Sequence, residues 1–93
     1  MVIGIAARRA GRTSRIEALF GKDQAAAALD LLELTELAWH DRHGEVTPPA
    51  AVVDDILCVS QGGLSELVRA ARMAVEDFRD LRLAADGLRQ ADA

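Results

Sequence analysis

The sequence predicts an all-α fold, a small antiparallel helical bundle of four helices. Hydrophobic residues make up 51% of the 93 residues but aromatic residues only 3%, so the core must be built from Leu, Val, Ile and Ala. Such a core favours helix-on-helix packing over a sheet, in which aromatic and β-branched residues are enriched. No segment has the alternating pattern of a strand, and the predicted connections are short, which favours antiparallel neighbours.

The N-terminal residues predict a mobile basic arm ahead of the bundle. Residues 1–13 have no clear apolar periodicity and contain two glycines, and we expect the single bundle domain to occupy residues 14–93. The sequence SRIE, which starts at Ser14, has the pattern of a capping box. Gly21 then ends a short first helix over about residues 15–20.

Two helices of unequal length follow. Asp23 is an N-cap candidate ahead of a poly-alanine run with the highest helix propensity, which predicts a long helix over about residues 24–43. Its apolar stripe covers nearly half the circumference, so we expect it to contact neighbours on two sides. The Thr-Pro-Pro sequence at 47–49 is typical of a helix N-terminus and the Gly-Gly pair that comes later of a helix end, which predicts a helix over about residues 48–60.

The last helix carries the clearest pattern in the chain. Over about residues 64–90, every a and d position of four heptads is apolar. These positions are Leu64, Leu67, Ala71, Ala74, Phe78, Leu81, Ala85 and Leu88. An unbroken helix of about 24 residues spans about 36 Å, which is more than the helix over 48–60 can cover. We therefore expect the seam around residues 78–88 to need a second chain, with a homodimer as the commonest arrangement.

The interface candidates are the large apolar residues of that part of the seam and the single tryptophan: Phe78, Leu81, Leu88 and Trp39. Trp39 lies at the edge of the apolar stripe of the second helix. Packing in the core is the interpretation we favour for it, and anchoring of a partner is the alternative, because Trp is enriched among binding hot spots. The predicted function is accordingly protein–protein interaction, by self-association or with another protein.

One face of the second helix carries the residue types of a metal site. Glu33, Glu36 and His40 fall within about 60° of one another on a helical wheel, and carboxylate and imidazole ligands suit zinc or iron. Metal sites in bundles draw ligands from several helices, however, and no second helix of this chain has a matching set. We favour a solvated helix face, with a metal-dependent site or small enzyme as the alternative.

Charge divides the chain into a basic start and an acidic remainder. Residues 1–22 hold five basic side chains against one acidic, whereas the other 71 residues hold 6 basic and 14 acidic. The arginines of the first part are Arg8, Arg9, Arg12 and Arg15. They could contact nucleic acid, or they could lie on the acidic body of the chain itself. The acidic body and the lack of interleaved aromatic residues argue against nucleic acid as the partner.

The remaining signals favour a cytoplasmic protein without catalysis. Cys58 is the only cysteine and cannot form an internal disulfide, which favours a reducing compartment. The N-terminus lacks the pattern of a secretory signal, and no run approaches the roughly 18 apolar residues of a membrane span. The serines lack the context of a nucleophile elbow, Cys58 has no histidine at local spacing, and we find no cofactor motif. We expect no catalytic residue and no cofactor.

The segments AWHDRHGEVTPPAAVVDDIL and RAARMAVEDFRDLRLAAD resemble small, uncharacterised all-helical proteins of GC-rich Gram-positive bacteria of the actinobacterial type. The resemblance covers roughly residues 16–89 and rests on AWHD, GEVTPP and DFRDLR. It implies an all-helical fold. It carries no activity with it, so it assigns no site residue.

Overall fold

The computed structural model describes residues 4–91, and the fold there is the predicted all-α bundle. These residues form four helices and no strand: α1 is Ile5–Phe20, α2 is Lys22–His43, α3 is Ala50–Ser60 and α4 is Leu64–Ala91. The fold-class prediction is confirmed, and the last three helices lie within a few residues of their expected positions. None of the helices described here is both long enough and apolar enough to cross a membrane.

The first helix is longer than predicted. The structure places residues 5–13, which were expected to form a mobile arm, inside α1, with Gly4 as the N-cap. Ser14 therefore lies within the helix and does not cap it. Residues 1–3 of the expected arm lie outside the described residues. The prediction was wrong because ion pairs to α2 hold this arginine-rich segment, and a search for apolar periodicity cannot detect such long-range contacts.

Residues with positive φ separate the helices. α1 ends at Gly21 (φ 81°), which directly precedes α2, and α2 ends at Gly44 (φ 74°). Between α3 and α4, Gln61 and Gly62 have φ values of 50° and 77°. A Cβ atom on Gly62 would lie only 2.5 Å from the backbone oxygen of Leu19. Glycine at this position therefore lets the α3–α4 connection approach the end of α1.

All four helices contribute to one core. α1 packs on α2, α3 packs most extensively on α4, and α2 also contacts α4. The buried members of the core are Ile16, Phe20, Ala25, Ala28, Leu29, Leu32, Trp39, Val52, Val53, Ile56, Leu57, Leu67, Ala70, Ala74 and Leu81. The core is aliphatic apart from two aromatic rings, as the composition predicts. The molecule is thus two helix pairs that are joined through α2 and α4.

The last helix is bent where the heptad pattern predicts a straight helix. Asp77 has non-helical backbone angles (φ −156°, ψ 92°) in the middle of α4. Its Oδ1 accepts a hydrogen bond from the backbone N–H of Arg79 at 3.0 Å. This is the geometry of an N-cap, so residues 78–91 begin as a new helical segment. The apolar pattern runs through Asp77 without interruption and for this reason contains no sign of the bend.

The bend also changes the expected interface. Leu81 and Ala85 are fully buried within the chain, and Leu88 is half-buried. Among the large seam residues of this part, Phe78 keeps 42% of its surface exposed. Leu81 therefore lies in the core, not on an interface surface. The chain itself covers most of the seam that was expected to need a second copy.

Candidate functional site

The face of α2 that carries Glu33, Glu36 and His40 contains a buried ion-pair site. Glu36 is only 2% exposed and receives hydrogen bonds from two guanidiniums of α1. Arg8 donates from Nε and Nη2 at 2.8–3.0 Å, and Arg12 donates from Nη1 at 2.7 Å. The hydroxyl of Thr47, which precedes α3, donates at 3.2 Å. Glu36 therefore ties together α1, α2 and the connection to α3.

The interpretation of this face as solvated is wrong at Glu36. Burial alone would raise the pKa of the carboxyl group. Hydrogen bonds from Arg8 and Arg12, together with their positive charges, outweigh burial, so the pKa of Glu36 lies below its ordinary value. The bond to Glu36 in turn raises the pKa of Arg8. The site is therefore a fully ionised cluster with one buried negative charge and two positive charges.

The structure does not bring the three metal candidates together as a ligand set. Glu33 pairs with Arg9 at 3.0 Å, and Glu36 is occupied by arginines. His40 is exposed, and its Nδ1 lies 3.2 Å from the backbone oxygen of Glu45. Within residues 4–91, no group of three His, Cys, Asp or Glu side chains could hold a metal ion. The acidic members of this face serve as partners for α1.

All four arginines of α1 contact carboxylates of the same chain. Arg9 bonds to Asp30 at 2.6 Å and to Glu33 at 3.0 Å, and Arg15 bonds to Asp54 at 2.7 Å. The other two arginines hold the buried glutamate of α2. Of the two interpretations of the basic segment, contact with its own acidic body is therefore the one that the structure shows.

A second buried carboxylate joins α3 to α4. Asp55 accepts hydrogen bonds from Nε of Arg82 at 2.7 Å and is paired with Nη2 of Arg89 at 2.9 Å. Both arginines belong to the segment after the bend. The thiol of Cys58, one turn further along α3, donates to the backbone oxygen of Ala85 at 3.8 Å. Polar contacts and the apolar core thus both fix residues 78–91 on α3.

Three aromatic side chains, those of Trp39, His43 and Phe78, lie close together near the bend. The ring centroid of Trp39 lies 4.1 Å from that of His43 and 6.0 Å from that of Phe78. Trp39 is buried, and its Nε1 has no hydrogen-bond partner among the described residues. Trp39 is therefore a core residue in this chain. Phe78 packs beside it and remains partly exposed.

An exposed apolar groove lies between α2 and α4. Leu34 is 61% exposed and Val68 49% exposed, and the groove that they border has a volume of about 300 Å³. It is lined by Leu31, Leu34, Thr35, Ala38, Val68, Ala71, Arg72, Val75 and Glu76, which we call the α2/α4 face. Arg72 and Glu76 pair with each other at 2.9 Å on α4. The face is apolar except at this edge and at one threonine.

A larger groove, of about 490 Å³, lies between α3 and the segment after the bend. It is lined by Val52, Asp55, Phe78, Arg79, Arg82 and Leu83. Its exposed charges are the guanidiniums of Arg79 and Arg82, because Asp55 is buried. Arg82 is paired with Asp55, but two copies of this surface that faced each other would bring Arg79 of each copy together without an exposed carboxylate among the lining residues, which disfavours self-association there.

The sequence-based prediction missed the residues of the α2/α4 face. Leu34 belongs to the apolar stripe of α2, and Val68 and Val75 lie beside the a and d positions of α4, so none of the three was named as an interface candidate. The available signal was the width of the two stripes. A stripe that covers nearly half a helix is wider than one neighbouring helix can bury.

No protein-family model, no curated protein and no solved structure matches this chain.

Proposed function

We propose that this protein is a small helical interaction protein that pairs with a second copy of itself through the α2/α4 face. The observation that carries this proposal is the exposed apolar groove between Leu34 and Val68. A contiguous exposed apolar patch is typical of an interaction site. Burying it in a dimer would gain about 25 cal/mol for each Å² of apolar surface removed from water.

Charge favours a second copy as the partner. A two-fold interface brings the same surface of both subunits together, so its charges must be self-complementary. Arg72 and Glu76 have opposite signs and lie at one edge of the α2/α4 face. Across a two-fold axis, Arg72 of each copy can pair with Glu76 of the other. The groove between α3 and α4 has no such exposed pair of opposite charges.

Side-chain size also supports helix-on-helix pairing at this face. Ala38 and Ala71 are small residues of the groove, with larger apolar side chains around them. Small residues among large ones let side chains of a facing helix enter the spaces between them. Leu34 of one copy therefore has room to enter the groove of the other. The resulting interface would contain α2 and α4 from each copy.

We place the protein in the cytoplasm. Cys58 is a free thiol and the chain has no other cysteine with which it could form an internal disulfide. A chain of this size that relies on packing and ion pairs in place of disulfides is typical of a reducing compartment.

Light scattering after size exclusion, at low micromolar concentration, tests the proposed pairing. We expect the wild-type protein to be a dimer and Leu34→Gln to be a monomer with unchanged helix content, because the variant places an amide in the apolar interface. Leu83→Gln is the matched control. Its side chain is 70% exposed and lies in the other groove, so this variant should stay dimeric.

Three outcomes would contradict the proposal. The wild-type protein could be monomeric, or Leu34→Gln could dimerise as strongly as the wild type. The third is a dimer that Leu83→Gln dissociates and Leu34→Gln leaves intact, which would place the interface at the groove between α3 and α4.

A further inference from the structure

The apolar stripe of α4 is continuous in sequence, although the backbone is not helical at Asp77. At about 100° per residue, the buried residues on both sides of Asp77 would fall in one sector of about 60° if the helix were straight. These residues are Leu67, Ala70, Ala74, Leu81 and Ala85. A straight α4 would therefore present the same stripe as the bent one. The two forms differ in where residues 78–91 lie, not in which side chains they can bury.

Asp77 is the residue at which the two forms diverge. In a straight helix its carboxylate would lie about 20° from the edge of the buried sector, on the side of Ala70. There it would have no free N–H group to cap, because the amides inside a helix bond to carbonyls one turn earlier. In the bent form Asp77 is exposed and caps the following segment at the N–H of Arg79. The preference for the bend thus rests on a local contribution from one side chain.

We propose that the two copies exchange residues 78–91: α4 straightens at Asp77, and the segment of each copy packs on α3 of the other. This inference rests on the self-association proposed above and states how it occurs. In the exchanged dimer, Arg82 and Arg89 bind Asp55 of the other copy in place of their own. Every contact that the segment makes with α3 is remade between chains, so the exchange sacrifices none of them.

The position of the bend supports the exchange. Val75 and Glu76 line the α2/α4 face and directly precede Asp77. Two chains that exchange the segment after the bend must cross next to it. New contacts between the copies therefore begin next to the exposed apolar groove.

The exchange predicts that association depends on the cap residue. Asp77→Ala removes the cap from the bent form and places the best helix former at the bend. A cap contributes about 1 kcal/mol in each of two chains, so the dissociation constant of the dimer should fall about thirtyfold. Asp77→Asn is the matched control. Because Asn caps a helix as well as Asp, this variant should stay within about threefold of the wild type.

A cross-link between α3 and α4 identifies which chain supplies the segment. The sulfur of Cys58 lies 3.8 Å from the backbone oxygen of Ala85, so Ala85→Cys places a second thiol beside it. Oxidation of the full-length dimer joins the two thiols within one chain if the segment is not exchanged, and between two chains if it is. Where the direct bond does not form, a short bismaleimide joins the thiols instead. The wild type and Cys58→Ser combined with Ala85→Cys, which have one thiol each, control for random cross-links.

Denaturing electrophoresis without reductant gives the mass of the cross-linked product, and light scattering gives the oligomeric state in solution. We expect a product with the mass of a dimer, more of it in Asp77→Ala and no more of it in Asp77→Asn. A monomer-mass product from a protein that is dimeric in solution overturns the exchange and leaves the pairing through the α2/α4 face standing. A monomer-mass product from a protein that is monomeric in solution overturns both proposals.

Discussion

Each of the two buried carboxylates is held by two arginines from a neighbouring helix. In the α1–α2 pair, Glu36 is buried, whereas the side chains of Arg8 and Arg12 keep 15% and 20% of their surface exposed. The guanidiniums thus satisfy the carboxylate and still reach water, so the excess positive charge is solvated. The buried member is the one whose loss leaves charges without a partner. Glu36 is therefore a structural residue, although its helix position suggested a ligand.

Glu36→Gln should lower the free energy of unfolding by about 2–3 kcal/mol. Removing one member of a buried ion pair usually costs about 3–5 kcal/mol, and the access of Arg8 and Arg12 to water lowers the loss below that range. Glu33→Gln is the control on the same helix. Its pair with Arg9 is about one-third exposed on both sides, so the loss should stay below about 1 kcal/mol. Urea unfolding followed by circular dichroism measures both, and equal losses would contradict the assignment.

Glu36 should also make the stability depend on pH in the acid range. Because the pKa of Glu36 is lower in the folded chain than its ordinary value of 4.5, its contribution is complete above that value. The contribution is lost as the pH falls through the lower, folded-state pKa. Urea midpoints of the wild type should therefore decrease below about pH 4.5 more steeply than those of Glu36→Gln. Parallel curves for the two proteins between pH 7 and pH 3 would contradict this.

At the scale of elements, the helices differ in what holds them. α3 and α4 are held by apolar stripes that their own sequence displays, whereas the first half of α1 is held by arginines that contact acidic residues more than twenty positions away. Two glycines of the chain also differ in their surroundings. Gly11 lies within α1 with open space where its Cβ would be, but Gly62 lies against the backbone of another element.

Alanine should therefore have opposite effects at these two glycines. Gly11→Ala adds helix propensity at an exposed position and should raise the free energy of unfolding by about 0.5–1 kcal/mol. Gly62→Ala should lower it by more than about 1 kcal/mol, because its φ of 77° disfavours a side chain and its Cβ would meet the oxygen of Leu19. Thermal unfolding of both variants measures these changes. A change in stability of the same sign for both would contradict the close approach of Gly62 to the backbone of Leu19.

The parts of the fold that sequence could predict are those with a local signal. Gly44 ends α2 with positive φ, and the apolar periodicity of α4 identified four of its five buried residues, all but Ala70. The bend at Asp77 could not be predicted, because the heptad pattern is the same for bent and straight helices. The burial of Glu36 could not be predicted either. Its partners lie on another helix, and a residue on the polar side of a helical wheel is normally assigned to the solvent-exposed face. The α2/α4 face could not be predicted for a related reason. The sequence pattern of an apolar stripe is the same whether its side chains are buried in the core or exposed to water.

At the scale of the whole molecule, each helix pair contains a buried carboxylate that binds two arginines of the neighbouring helix. Glu36 on α2 binds two arginines of α1, and Asp55 on α3 binds two arginines of α4. The pairs contact each other mainly through α2 and α4, whose outer surfaces form the apolar α2/α4 face. The buried ion pairs therefore fix each pair internally, and the more exposed pair of Arg15 with Asp54 adds a link between α1 and α3. Apolar surface joins the pairs and remains available for a second copy.

Because α1 packs on α2 through ion pairs, we expect an energetic coupling between Glu36 and the two arginines, Arg8 and Arg12, that bind it. Deletion of residues 1–13 would change little if these residues were a mobile arm, but it should lower the free energy of unfolding because it removes Arg8 and Arg12 and uncovers Glu36. In the truncated chain, Glu36→Gln should then cost close to nothing, whereas it costs about 2–3 kcal/mol in the full chain. The coupling energy should therefore be about 2 kcal/mol.

Arg8→Gln combined with Arg12→Gln, which keeps α1 at full length, provides the same test if the truncated chain does not fold. Glu36→Gln should not destabilise that background, because it removes a buried carboxylate that has lost its arginines. Urea unfolding of the four proteins of the cycle measures the coupling. Additive losses would mean that the arginines of α1 stabilise the chain independently of Glu36, and the docking of α1 would then have to be attributed to Ile16 and Phe20 in the core.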